Sequence, residues 1–338
     1  MIFRATEHAQ LAGGPWDERL ARYAIADILD ETIAAGRPEE AGVYAGVAGE
    51  LYALRSLGKP VDWELGAGEG TGFADGEVGI ALVSGDNERF RAAAPACIEN
   101  PWNELLYGAG GALVAARLLG EDDVAREAIK RLWSTWTFDS KLRACIWTQR
   151  YDNRREQFLG MAHGVAGNAY ALLRAAPLQS SEHQTELMHR ILETLERTAL
   201  RESNLVNWPP VAGETAAEQI RVQWCHGAPG VVCALAGAPA HRDLNALLLA
   251  AGELVWEAGP LRGGAGLCHG TAGNGWAFLK LNRRTGDRKW LERARRFAMH
   301  AIEQRNGERG LWTGDLGVAL YLRACIDVED RWPLLDVL

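Results

Sequence analysis

Leu267-Cys268-His269-Gly270-Thr271-Ala272-Gly273, running into an apolar segment at 274–281, is a phrase that the chain writes more than once. A near copy, Trp224-Cys225-His226-Gly227-Ala228-Pro229-Gly230, runs into a second apolar segment at 231–236. Without the Cys-His pair the phrase is Gly-x-x-Gly followed by an Ala/Leu-rich run. It occurs seven times, at 46–49, 76–79, 108–111, 164–167, 227–230, 270–273 and 314–317. The runs that follow, such as 168–174 and 318–324, are apolar on nearly all sides, which marks a buried helix rather than a surface one.

Between these runs lie charged stretches of helical period. Residues 17–35 place Leu20, Tyr23, Ala24 and Ile28 on one stripe, and 287–304 do the same with Trp290, Ala294, Phe297 and Ala301. Residues 186–201 follow the same pattern. Buried helix after Gly-rich turn, alternating with amphipathic helix, is an αα-repeat, and a repeated unit of this kind stacks or closes on itself. The expected fold is all-α: an α/α toroid of seven helical hairpins with inner and outer rings, a single domain over residues 1–338. The inner helix N-termini then converge on one mouth, where close backbones and positive φ angles call for glycine. Their free N–H groups make that mouth electropositive, suited to thiolates and anionic substrate groups. The second and third units are short. Residues 59–76 leave little room for an outer helix, 66–75 read as a glycine-rich loop, and Pro95 limits any helix over 88–97.

Of 338 residues 48% are hydrophobic and 24% charged, which fits a folded chain with a large core. The net charge of −8, with no Lys/Arg block, argues against nucleic acid and anionic membrane as partners. No N-terminal apolar run suggests a signal peptide and no stretch is long enough to span a bilayer, so a cytoplasmic location without membrane insertion is expected. In such a reducing compartment the six cysteines are expected to be free or metal-bound. Cys97, Cys145, Cys233 and Cys325 are assigned to packing. The duplicated motif offers two thiolates and up to two imidazoles, the ligand chemistry of zinc, which is catalytic when three protein ligands leave a fourth position open. With His226 as a fourth ligand the site would instead be closed and structural.

Four pieces together carry a family resemblance: 223–230, Gly266-Leu267-Cys268-His269-Gly270-Thr271-Ala272-Gly273-Asn274, Asn103-Glu104-Leu105-Leu106-Tyr107-Gly108 and Ala162-His163-Gly164-Val165-Ala166-Gly167. In this order, in a seven-unit helical chain, they resemble the lanthionine synthetase C-like family over nearly the whole length. The resemblance implies an α/α barrel with one zinc ion at its mouth. It implies Cys225, Cys268 and His269 as ligands, with water or a substrate thiol in the fourth position. His163 matches the family histidine proposed for proton transfer, and Glu104 stands where bacterial peptide cyclases carry an aspartate. The wording of 103–108 is nearer to the stand-alone branch, which is similar to eukaryotic proteins that bind glutathione and add it to dehydroamino acids. The chain departs from those proteins at Gly263, where they carry a lysine, with Arg262 one position away.

The expected function is therefore enzymatic. A zinc-activated thiol, of glutathione or of a peptide cysteine, adds in Michael fashion to dehydroalanine or dehydrobutyrine in a peptide, forming a thioether. His163 and Glu104 are the catalytic candidates. Glu104 also reads as a carboxylate complementing a helix start. His226, Trp224, Arg262 and Asp315 are the substrate-binding candidates. His226 would hydrogen-bond at the mouth and Trp224 would wall it. Arg262 reads as a solvated charge or as a grip on a carboxylate or phosphate, and Asp315 as a helix-start residue or a mouth acceptor. Two other readings compete: a zinc-containing glutathione- or peptide-binding protein without turnover, and a carbohydrate-active toroid using paired carboxylates among Glu77, Glu104 and Asp315.

Overall fold

The structure, a computed structural model, describes residues 2–336 apart from Asp152. Among the described residues there are thirteen α-helices. In chain order they are α1 (Glu18–Ala35), α2 (Val47–Ser56), α3 (Glu77–Ser84), α4 (Asn87–Ile98), α5 (Ala109–Leu119), α6 (Asp122–Thr135), α7 (Val165–Arg174), α8 (Ser181–Thr198), α9 (Ala228–Leu235), α10 (Arg242–Ala258), α11 (Thr271–Thr285), α12 (Arg288–Glu303) and α13 (Asp315–Asp327). Three hairpins of three-residue strands join them: β1 (Thr137–Asp139) with β2 (Ala144–Ile146), β3 (Gln149–Tyr151) with β4 (Arg154–Glu156), and β5 (Leu200–Glu202) with β6 (Leu205–Asn207).

The seven helices that follow the Gly motifs pack in cyclic order: α2 on α3, then α5, α7, α9, α11 and α13, which returns to α2. That closed circuit is the inner ring of an α/α toroid. The other six helices lie outside it. The last joint is pinned by Arg309, whose guanidinium grips both oxygens of the fully buried Glu50 at 3.0 and 2.6 Å. The outer ring has a gap, since no helix lies between α2 and α3. α4 does form, with Pro95 in its last turn. No helix of the described residues is long and apolar enough to cross a membrane.

The second glycine of every motif has the same physical reason. A Cβ there would lie between 1.8 and 2.4 Å from the carbonyl oxygen six residues earlier, that of Val43, Phe73, Leu105, Met161, Trp224, Leu267 or Leu311. The turn folds back onto the first turn of its own inner helix, and only a hydrogen fits between them. The first glycine caps each inner helix, and of the seven only Gly227 has positive φ, at 114°. Close approach, more than left-handed backbone, fixes these residues. The turns are also tied to one another. Tyr44 N–H donates to Ala74 O, Ala74 N–H to Leu106 O, Cys225 N–H to Cys268 O, Cys268 N–H to Trp312 O, and Trp312 N–H to Tyr44 O.

Two outer helices differ from the sequence expectation. On α1 the buried face is Ala21, Ala24, Ile28 and Leu29, while Leu20 and Tyr23 are 42% and 69% exposed. α8 starts at Ser181 under a Ser180 cap and ends at Thr198, because residues 200–202 pair as a strand. α12 matches its stripe, with Trp290, Ala294, Phe297 and Ala301 fully buried.

Candidate active site

Each of the seven turns carries a pair of residues at the two positions before its first glycine. The earlier position holds Tyr44, Ala74, Leu106, Ala162, Cys225, Cys268 and Trp312. The later one holds Ala45, Asp75, Tyr107, His163, His226, His269 and Thr313. Nearly every polar group of the candidate site comes from these positions.

Cys225, Cys268 and His269 come together, their ligand atoms all within 4.8 Å of one another. The backbone bond from Cys225 N–H to Cys268 O, 3.1 Å, sets the two motif turns side by side. Both cysteines are buried and His269 is exposed, so the cluster opens on one side. The Cys225 S–H pulls the Cys268 thiol down to about 5 against burial, and His269 adds to the pull. The Tyr44 hydroxyl sits against the Cys268 sulfur, and burial pushes its own pKa far up. Two sulfurs and one imidazole nitrogen at this spacing fit a zinc ion with bonds of about 2.3 and 2.0 Å. His226 lies outside the cluster among the described residues, which leaves a three-ligand, open arrangement.

Beside it stands a histidine pair. His163 is in electrostatic reach of Cys268 and its ring stacks on that of His226, with centroids 5.4 Å apart. Behind His163, the Glu104 carboxylate accepts from Nδ1 at 2.5 Å. Asn103, at φ 45°, turns the chain so that Glu104 points inward, where it is fully buried. Burial pushes the Glu104 carboxyl up. The same burial would lower His163, but the charge and hydrogen bond of Glu104 outweigh it and hold the imidazole above its usual value. With Nδ1 committed to Glu104, Nε2 is the free nitrogen. His226 goes the other way: burial, with His163 and Arg221 nearby, lowers it to about 3, so it is neutral. Its Nδ1 is buried without a partner. Phe158, Tyr151 and Trp102 form an aromatic edge beside the pair, and the Tyr107 hydroxyl donates to Asp75 at 2.7 Å.

One candidate residue is corrected, and for Asp315 the helix-start reading of the two holds. Trp224 does not wall the mouth: it is fully buried, stacked on Trp332 at 4.8 Å and edge-on to Trp312. Asp315 is the first residue of α13 and accepts from the Gly307 N–H, bracing the 305–309 loop rather than facing the mouth. Glu104 has no exposed surface and lies behind His163, hydrogen-bonded to its ring. Arg262 is exposed, with its Nε on the His8 carbonyl at 2.8 Å. The carboxylates of a glycosidase reading are dispersed: Glu77 pairs with Arg89, Glu104 with His163, and Asp315 with its loop. Tyr44, Asp75, Tyr107 and Phe158 had no assigned role in the sequence. The signal for the first three was their offset from the Gly motifs, equal to that of the Cys-His pairs.

Residues 82–337 match the family described as lanthionine synthetase C-like protein. The Danio rerio protein named glutathione S-transferase LANCL1 is 32% identical over 174 residues, 51% of this chain and 41% of that protein. The Arabidopsis thaliana LanC-like protein GCL1 is 35% identical over 259 residues, 69% of this chain and 58% of that protein. The match thus spans about half the length of these relatives. The solved structure of a nisin cyclase shares the fold, with a TM-score of 0.65 over 91% of this chain and 94% of that chain at 17% identity.

Proposed function

This chain belongs to the lanthionine synthetase C-like family, and from that premise we propose that it is a zinc-dependent thiol-addition enzyme. Its substrates on this reading are a thiol, that of glutathione or a peptide cysteine, and a peptide carrying dehydroalanine or dehydrobutyrine. The observation that carries the reading is the open Cys225–Cys268–His269 cluster beside the Glu104–His163 pair. Cys225, Cys268 and His269 would hold the ion, which when bound deprotonates a coordinated thiol.

The chain's own groups then divide the work of the addition. The sulfur lone pair forms the new C–S bond at the β-carbon, and the π electrons move onto the α-carbon and carbonyl as an enolate. His163, whose imidazolium form Glu104 favours, hands its Nε2 proton to the α-carbon, and the thiol's proton restores the imidazolium by way of solvent. General acid–base help of this kind contributes ~10²–10⁴-fold. His226, neutral and stacked on His163, and the Phe158 edge narrow the space and limit water. The names of the relatives, a glutathione S-transferase and a cyclase, accord with thioether formation.

The test begins with zinc content per chain. About one zinc in the wild type and none in Cys268→Ser is expected. The wild type should consume glutathione in the presence of a dehydroalanine peptide. His163→Ala should retain its zinc and lose turnover. Wild-type protein that is purified without chelator and holds no zinc would refute the reading.

A further inference from the structure

A cavity of about 520 Å³ is lined by Asn103, the residue that precedes Glu104, and by Arg131, Arg150 and Arg155. Thr137 and Thr148 add hydroxyls. Arg150 and Arg155 are direct cross-strand partners in the β3–β4 hairpin. Like charges in that register repel and weaken a hairpin, and neither arginine has an ion pair or side-chain hydrogen bond among the described residues. Arg131 has one partner, Glu99 at 3.3 Å, and its Nε is buried without an acceptor. Three cations against one carboxylate leave Arg150 and Arg155, both exposed, without an anionic partner among the described residues around one polar cavity. A phosphate monoester dianion matches that charge, and its oxygens match the fork of several arginines and nearby hydroxyl donors better than a two-oxygen carboxylate does.

We propose that this cavity binds a phosphate group, carried by a phosphorylated peptide or present as a free phosphate ester, one residue away from the group that orients His163. The inference adds to the thiol-addition reading without depending on it, since phosphate binding is measured without zinc or turnover. The experiment follows the melting temperature of the wild type with increasing inorganic phosphate, against sodium chloride of equal ionic strength. An Arg150→Gln/Arg155→Gln double variant runs beside it. A saturable phosphate-specific rise is expected in the wild type and absent from the variant. In chloride alone the variant should melt no lower, because a like-charge pair has gone. Arg155→Lys, which keeps the charge and loses the fork, should retain a weaker rise. Binding of a phosphoserine peptide then separates the sources. A gain of ~10-fold or more over the unphosphorylated peptide assigns a peptide phosphate, and equal binding assigns free phosphate esters. No phosphate-specific rise, a rise that survives in the double variant, or a rise produced by glutathione in place of phosphate would overturn the proposal.

Discussion

At the residue scale the Glu104–His163 pair sets the pH behaviour. Glu104 is the main influence raising His163 and burial the main influence lowering it. Replacing Glu104 by Gln keeps a hydrogen-bond acceptor and removes the charge, so burial prevails and the His163 pKa falls. Loss of the protonated acid on raising pH then begins at lower pH. The expected result for Glu104→Gln is an acid-shifted falling limb in the pH profile of kcat/KM, with turnover at pH 7.5 reduced by up to ~10²-fold and zinc content unchanged. An unmoved limb would remove Glu104 from this role. The Cys-His-Gly residues were legible in the sequence because the motif is duplicated. Tyr44 and Asp75 were not, because a tyrosine or aspartate before a glycine is ordinary until the turns are seen in a ring.

At the scale of the element, each inner helix depends on a glycine in its first turn. Gly273→Ala would place a Cβ 1.8 Å from the Leu267 carbonyl, in the turn that also carries Cys268 and His269. The turn must shift, at a cost of about 1–3 kcal/mol, and zinc affinity should fall with it. Gly237→Ala serves as the control, since nothing lies within 4 Å of its Cβ. Chemical denaturation and zinc titration of both variants check this, and equal behaviour would deny the close approach its role. The helices with long clean stripes, such as α12, were readable from periodicity. α1 was not read correctly, since Leu20 and Tyr23 lie on its solvent side. The three hairpins escaped because three-residue strands are too short for alternation to register.

For the whole molecule, the end of the barrel away from the mouth is filled by the C-terminal segment. Trp332 stacks on Trp224 beneath the cysteine turns. Lys280 of α11, 8% exposed, pairs with Asp336 at 2.6 Å and with Asp330 at 3.5 Å. Tyr170 of α7 donates to Asp336. Burial would raise Asp336, but Lys280 outweighs it and holds the carboxyl below its usual value. A lowered carboxylate pKa contributes stability that is full above the unfolded value, ~3.9, and lost as pH falls through the folded one. Asp336→Asn strands Lys280 with Asp330 alone. It should cost near the low end of the ~3–5 kcal/mol for a broken buried pair and flatten the loss of stability in acid. Urea unfolding at pH 7 and pH 3 measures both, and a variant as stable as the wild type would show that the segment is not held by this pair.

The seven glycine turns, the buried runs after them and the duplicated Cys-His pair were determined by the sequence alone. Glycine spacing and apolar periodicity are local properties that survive in one dimension. Ring closure, the side-by-side placing of Cys225 and Cys268 and the burial of Glu104 behind His163 were decided only by the tertiary structure. So was the placing of Trp224, interior instead of at the mouth. Each depends on which turns become neighbours in space, and that is fixed by backbone hydrogen bonds between turns and by the packing of α13 onto α2, contacts that join residues far apart in the chain.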